Sequence, residues 1–310
     1  MKAPFTINPV LVAIALSYRN PRLIADTVLP RIPVSVKNFS YTAYTAADAF
    51  SLPETRVART AQPEQVEFSG VDTPSFTNDH GLDDPVPQDD IDQAAAAGLP
   101  DPLLRATRGL TDLIALAREV RVAALVFNAA NFAAANKVTL VGTQQWSDYA
   151  NSTPVTDMQV GLDACIMRPN IGVFGRAVWS KLSAHPAIAK AVYGPANVGG
   201  LVTRRAFADL FELEDVYVGE GWVNTAKKGQ AAAYTRVWGK FGALLYRNPN
   251  ADTKGQTAFG FTAEYGQRVA GNWEDKDIGI RGGQRVRVAE SVREVIAAND
   301  LGYLFSAAVA

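Results

Sequence analysis

Four groups of residues in this sequence have types and spacings that could do chemistry. Gly194-Pro-Ala-Asn-Val-Gly199-Gly200 has the first glycine spacing of a phosphate-cradling loop. Such a loop needs lysine where Gly200 stands, and no strand clearly delivers the segment, so it reads as a glycine-rich turn. His80 beside Asp79, Asp83 and Asp84 combines imidazole with carboxylates, both competent metal ligands. A solvated acidic loop accounts for it more simply. Cys165 and His185 can be written as a nucleophile and its base, yet no local signature pairs them; Asp163-Ala-Cys165-Ile-Met167 reads as a packed face with a buried thiol. Trp273-Glu274-Asp275-Lys276-Asp277 is a charge run of loop character, suited to a solvated turn or to a subunit contact. Nothing matches a paired-carboxylate or triad enzyme, and no catalytic, cofactor-binding or metal-ligating residue is assigned.

The composition around these groups is that of an ordinary globular protein. The 310 residues are 48% hydrophobic and 20% charged, enough to bury two or three domain-sized cores. Thirty basic residues against thirty-one acidic ones give a net charge of -1, which excludes the strongly basic balance of tight nucleic-acid binders. Cys165 is the only cysteine, so no intrachain disulfide can form and a reducing compartment is expected. The longest uncharged stretches, residues 3–18 and 122–136, fall short of the roughly 20 apolar residues of a helical membrane span. Asn8-Pro9 interrupts what could otherwise pass for a signal peptide and reads as a helix cap with proline in the first turn; Asn20-Pro21 repeats the pattern.

Charge and periodicity then divide the chain. Residues 1–40 carry a balance of +4, and residues 41–100 reverse it to -9. From Ile32 to about Pro87 the sequence is rich in Val, Phe, Tyr and Thr, is punctuated by Pro and Gly, and lacks helical period. It predicts a two-limbed ribbon, each limb roughly 50 to 65 Å long, too long to be covered by a small domain. The economical inference is that it lies on another subunit. Asp101-Pro102 starts the clearest helix, with Leu103, Leu110, Leu113, Ile114, Ala117, Val120, Ala124 and Phe127 as its apolar stripe. Arg105, Arg108, Asp112, Arg118 and Arg121 mostly fall off that stripe, and the helix is expected to continue toward Asn136. Short strands and helices follow, including a strand at 170–174, helices at 176–183 and 185–193, and two late strands flanking the glycine-rich stretch 272–283.

This order of segments resembles the major capsid proteins of tailed bacteriophages, the Hong Kong 97 type of fold. The resemblance is carried by Leu16-Ser-Tyr-Arg-Asn-Pro21 and Val28-Leu-Pro-Arg31, by Arg121-Val-Ala-Ala-Leu-Val-Phe-Asn128, by Phe174-Gly-Arg-Ala-Val-Trp-Ser-Lys-Leu182 with His185-Pro186, and by Val218-Gly-Glu220 and Asn224-Thr-Ala-Lys-Lys-Gly-Gln230. It implies an α+β chain with an N-terminal arm at 1–33, an extended β-ribbon loop at 34–95, and a peripheral domain at 96–156 containing a long spine helix. An axial domain at 157–255 and peripheral return strands at 256–310 complete it. The function implied is structural: hexamers and pentamers closing an icosahedral shell around double-stranded DNA without sequence-specific binding, assembled in the host bacterial cytoplasm into a virion. The chain opens directly on the arm, so a separate scaffolding protein is expected, with a portal protein and a decoration protein as further partners and no membrane or cofactor. Phe50, Arg56 and Arg59 at the ribbon tip are expected to dock on an adjacent chain, with the acidic stretch and Trp273, Glu274, Asp275 and Asp277 as receivers. No Lys, Asn and Glu trio aligns for the cross-links some relatives form. Two alternatives stand beside this reading, an encapsulin-type protein container of the same fold and an α+β enzyme such as a hydrolase.

Overall fold

The computed structural model describes residues 7–18, 20–43, 52–65, 71–195, 199–227, 229–253 and 258–310. Helix α1 (Pro9–Ser17) starts as the Asn8-Pro9 pair predicts, with the Asn8 side chain accepting the Val10 amide. A single turn α2 (Ala25–Val28) and strand β1 (Arg31–Val34) follow. Strands β2 (Asn38–Ala43) and β3 (Val71–Phe76) form the ribbon base, antiparallel from Asn38 opposite Phe76 to Ala43 opposite Val71. Among the described residues the ribbon is paired only there, and 52–65 is irregular chain.

The second limb does not run on to Pro87. Asn78–Pro87 is a separate strand, β4, and this corrects the acidic-loop reading of Asp79, Asp83 and Asp84. Strand alternation sends Asp79 and Asp83 to one face, where Ser291 and Arg287 bind them, and turns Val86 toward the core on the other. Helix α3 (Gln88–Ala96) leads to the spine helix α4 (Pro102–Val126), which Asp101 caps by accepting the Leu103 amide. At 25 residues the spine is about 37 Å long. It stops short of Asn136, because the Asn128 side chain takes the Ala130 amide and starts a tighter turn at Ala129–Asn131.

Beyond it lie β5 (Lys137–Thr139), α5 (Pro154–Asp163), β6 (Ile171–Gly175), α6 (Arg176–Leu182), α7 (Pro186–Tyr193) and α8 (Arg204–Phe211). Then come β7 (Asp215–Gly219), β8 (Trp222–Asn224), β9 (Tyr234–Arg236) and β10 (Gly242–Leu245). The chain closes with β11 (Gly260–Tyr265), β12 (Val269–Asp275), β13 (Gly283–Ile296) and β14 (Gly302–Ser306). The first four residues of the expected loop at 272–283 are therefore strand, since buried Ala270 ties β12 into the core beside Val286 and Val288.

Two five-stranded sheets organise the molecule. In the first, β13 pairs antiparallel with β4, β11 and β12, and β1 runs parallel beside β11. The spine packs across it through Ala106, Leu110 and Ile114, with Leu11 and Ala15 of α1 in the same cluster. The second has the order β5-β14-β10-β6-β7 and buries Trp146, Phe174, Trp179, Phe207 and Phe305 against its helices. Strands β5 and β14, which the sequence groups with the spine, pair here because β14 is apolar on both faces, with Phe305 buried in one cluster and Leu304 in another. A third cluster, from Ile24 and Val28 through Val122 and Val126 to Trp238 and Phe259, joins arm, spine and the second sheet.

Candidate assembly surfaces

The spine helix has two apolar faces, and the sequence merges them into one. The face against the first sheet and the arm buries Ala106, Thr107, Leu110, Thr111, Ile114, Arg118, Glu119, Val122, Ala123 and Val126. Leu113, Ala117, Val120 and Ala124 of the expected stripe are exposed, Leu113 by 54% and Val120 by 36%. They stand at three- and four-residue steps with Gly109, a strip about 22 Å long on the outer side. A helix apolar on two sides has more surface to bury than its own chain covers. Periodicity missed this because it finds a stripe and not the width of the apolar arc.

Two charged residues sit on the buried face. Glu119 is fully buried, and its carboxylate accepts the Ile24 amide at 3.0 Å, the Ala25 amide at 2.8 Å and the Trp238 indole N–H at 2.5 Å. Burial pushes its carboxyl above the usual range, partly offset by these donors. Arg118 grips the other end of the same arm turn, binding Asp26 and donating to the Leu29 carbonyl at 3.3 Å and Thr262 at 2.9 Å. The pair thus clamps α2 at both ends, acid at the amide end and base at the carbonyl end. Trp238 reaches Glu119 because Gly219 leaves room: a Cβ there would lie 2.0 Å from the indole. Nearby, Glu290 accepts from Arg31 at 3.0 Å and Arg268 at 2.9 Å. Burial alone would raise its carboxyl, but Arg31, Arg268 and Arg118 hold it below the usual range.

The expected docking residues are dispersed. Phe50 lies outside the described residues. Arg56 and Arg59 are exposed, as is every residue of 52–65 except Pro53, and Leu52 is 93% exposed. Among the described residues no ion pair involves Arg56 or Arg59. Of the receivers, Asp275 is bound by Arg285 at 2.6 Å, and Arg287 lies 4.9 Å over the Trp273 ring. The Arg285 bond and the Asp277 amide hold the Asp275 carboxyl low, the amide most. Glu274 and Asp277 are exposed. Ribbon tip and receivers are not brought together within one chain. Sequence reasoning also missed a groove of about 610 Å³ between β4 and the spine, lined by Asp83, Asp84, Asp90, Arg105, Asp112 and Leu113.

The remaining groups are held in structural roles. His80 is on β4 opposite Glu290, and among the described residues no three potential metal ligands converge. The Cys165 thiol is buried, which pushes its pKa to about 12, and it donates to the Gly161 carbonyl. His185 caps α7: its Nδ1 accepts the Ala187 amide, so Nε2 carries the proton and faces Ser152 Oγ at 3.0 Å. Ser152 in turn donates to the Asp148 carbonyl, an arrangement that leaves its oxygen unactivated. Gly194 ends α7 at φ +84°, a left-handed value that favours glycine; 196–198 of the glycine-rich stretch lie outside the described residues.

An exposed ribbon limb, a helix with a second apolar face and an arm clamped between the spine and the second sheet are features of a structural subunit. No family model matches the chain. It is 50% identical over 308 residues to the major capsid protein of Pseudomonas phage JBD67, covering 99% of each. It is 27% identical over 313 residues to the major capsid protein of Burkholderia phage BcepMu, covering 97% of this chain and 96% of that one. A solved phage-related protein from Bordetella bronchiseptica superposes with a TM-score of 0.77 at 24% identity, over 99% of this chain and 98% of that one. The chain belongs to the bacteriophage major capsid proteins, with the Hong Kong 97-like fold, and its place is the capsid of the virion. The 50% identity to a phage major capsid protein over 99% of the chain decides for this reading over the encapsulin alternative.

Proposed function

We propose that copies of this chain join as hexamers and pentamers into an icosahedral shell around phage double-stranded DNA, by mechanical assembly without a catalytic step. The observation that carries this is the pairing of an uncovered ribbon limb at 52–65 with an uncovered apolar spine face, two surfaces that a neighbouring copy can bury. Residues 1–33 act as the arm, 34–76 as the extended loop, the spine with the first sheet as the peripheral domain, and the second sheet, β5 and β14 included, with its helices as the axial domain around the five- and six-fold axes. Phe50, Arg56 and Arg59 dock on the adjacent chain. Glu274 and Asp277 receive them beside Trp273 and Asp275, with Asp84 and Asp90 of the spine groove as a second acidic site.

Each contact buries apolar surface at about 25 cal/mol per Å² and repeats heterologously around closed rings. Single contacts can be weak because many are made together. A separate scaffolding protein, a portal protein and a decoration protein are the partners, and assembly takes place in the host bacterial cytoplasm. The test is deletion of residues 50–65. The expected product folds but forms no closed shells by electron microscopy; closed, heat-resistant shells from the deleted chain would refute the docking role.

A further inference from the structure

Positive charge is unevenly spread along this chain. Residues 221–240 hold Lys227, Lys228, Arg236 and Lys240 with no Asp or Glu, in a protein whose net charge is -1. They form the hairpin β8–β9, which pairs only with itself, Trp222 opposite Arg236 and Asn224 opposite Tyr234. Its turn is braced by Asn224, whose side-chain oxygen accepts the Ala226 and Ala233 amides. Trp222 is 48% and Tyr234 68% exposed, and Lys227 and Lys240 are exposed as well. Lys228 lies outside the described residues.

Three observations together describe a binding post. Among the described residues, Lys227, Arg236 and Lys240 make no ion pair, although Arg31, Arg118, Arg121, Arg268, Arg285 and Arg287 all do. The Arg236 guanidinium lies 4.3 Å over the Trp222 ring, and among the described residues its N–H donors make no hydrogen bond. The root of the hairpin is anchored, since the Val237 amide donates to the Gly221 carbonyl and the next residue, Trp238, is bound to Glu119. That same carboxylate holds the basic arm at Ile24, two residues beyond exposed Arg22. Two basic segments therefore leave from one buried support.

Uncompensated cations on a braced stalk suit a partner with dense, repeated negative charge. The acidic stretch of a second copy is a poorer match, because Asp79, Asp83 and Asp89 are already engaged by Lys37, Arg287 and Arg281, which leaves separate carboxylates such as Asp84 and Asp90 in place of a dense, regular row of charge. Duplex DNA presents one charge per roughly 1.7 Å. We propose that the β8–β9 hairpin binds the phosphate backbone of duplex DNA, with Lys227, Arg236 and Lys240 at the phosphates and Trp222 positioning Arg236. The contact reads no sequence. It rests on the shell reading only for the presence of DNA beside the protein.

The test titrates the full chain, as unassembled subunits, with a short fluorescein-labelled duplex at several salt concentrations. Three phosphate contacts give a log–log slope of about -2.7, a roughly 40-fold loss of affinity between 50 and 200 mM salt. Lys227→Gln with Lys240→Gln is expected to reduce the slope by about 2, and the paired Lys→Arg variant to restore it. The same Gln variant, viewed by electron microscopy, is expected to close shells like the parent. Unchanged affinity and slope in the Gln variant overturn the proposal. So does a variant that binds DNA as the parent does but no longer closes shells, which would assign the hairpin to a subunit contact. A parent chain that forms no shells strikes the shell reading instead, and the slope still decides for or against DNA binding.

Discussion

Removing the Glu119 carboxylate isolates the junction on which arm, spine and second sheet depend. Glu119→Ala leaves three buried donors, the Ile24 and Ala25 amides and the Trp238 indole N–H, without their acceptor. At about 1–3 kcal/mol for each orphaned donor, less what entering water restores, the expected cost is about 3 to 6 kcal/mol. Glu119→Gln keeps a carbonyl with two lone pairs, enough for two of the three donors, and should cost only about 1 to 2 kcal/mol. Urea unfolding of unassembled subunits measures both. Trypsin adds a local readout, because Arg22 sits just before the clamped turn and should be cut faster in the Ala variant.

The sign of the pH effect follows from burial. Because the folded Glu119 binds its proton more readily than the unfolded chain does, its contribution is largest at low pH. It declines as pH rises from about 4.3 through the raised folded value. The stability of the parent relative to the Gln variant should narrow across that window. A cost below about 1 kcal/mol for the Ala variant would refute the clamp, since it falls under the price of a single orphaned donor.

Three further outcomes follow. Glu290 titrates in the opposite sense: Arg31, Arg268 and Arg118 depress its carboxyl against burial, so its stabilisation is complete above the unfolded value of about 4.3 and is lost as pH falls through the folded value. Urea midpoints on either side of that window should therefore differ more in the parent than in Glu290→Gln. Leu113→Asp with Val120→Asp, on the exposed spine face, should move the monomer's unfolding midpoint by no more than about 0.5 kcal/mol per site yet prevent closed shells by electron microscopy. Cys165, with its pKa near 12, should resist iodoacetamide in the native protein at neutral pH and react once unfolded, as mass spectrometry would record.

Legibility in the sequence followed how local each cause is. The caps at Asn8 and Asp101 and the helix at 186–193 are set by neighbouring residues, and the sequence places them well. The order of segments carried the fold and the family. What could not be read were partnerships at long sequence separation. Asp83 reads as a solvated acid until Arg287, on a strand two hundred residues later, is found beside it. Arg118 and Glu119 look like surface charges of an amphipathic helix, and only α2 and Trp238, each about a hundred residues away on either side in sequence, make them a buried clamp. Leu113 and Val120 were visible as apolar, but whether an apolar residue faces its own core or a neighbour is not written in its period. The docking residues pose the same difficulty more severely, because their proposed counterpart is on another molecule.

The central claim is that a large part of this chain is covered by its siblings. Cryo-electron microscopy of the assembled protein tests it most directly. The prediction is density for residues 52–65 lying across an adjacent subunit, with the Gly109–Ala124 face of the spine covered by a neighbour. A compact, isolated molecule in which 52–65 folds back on its own spine would contradict it.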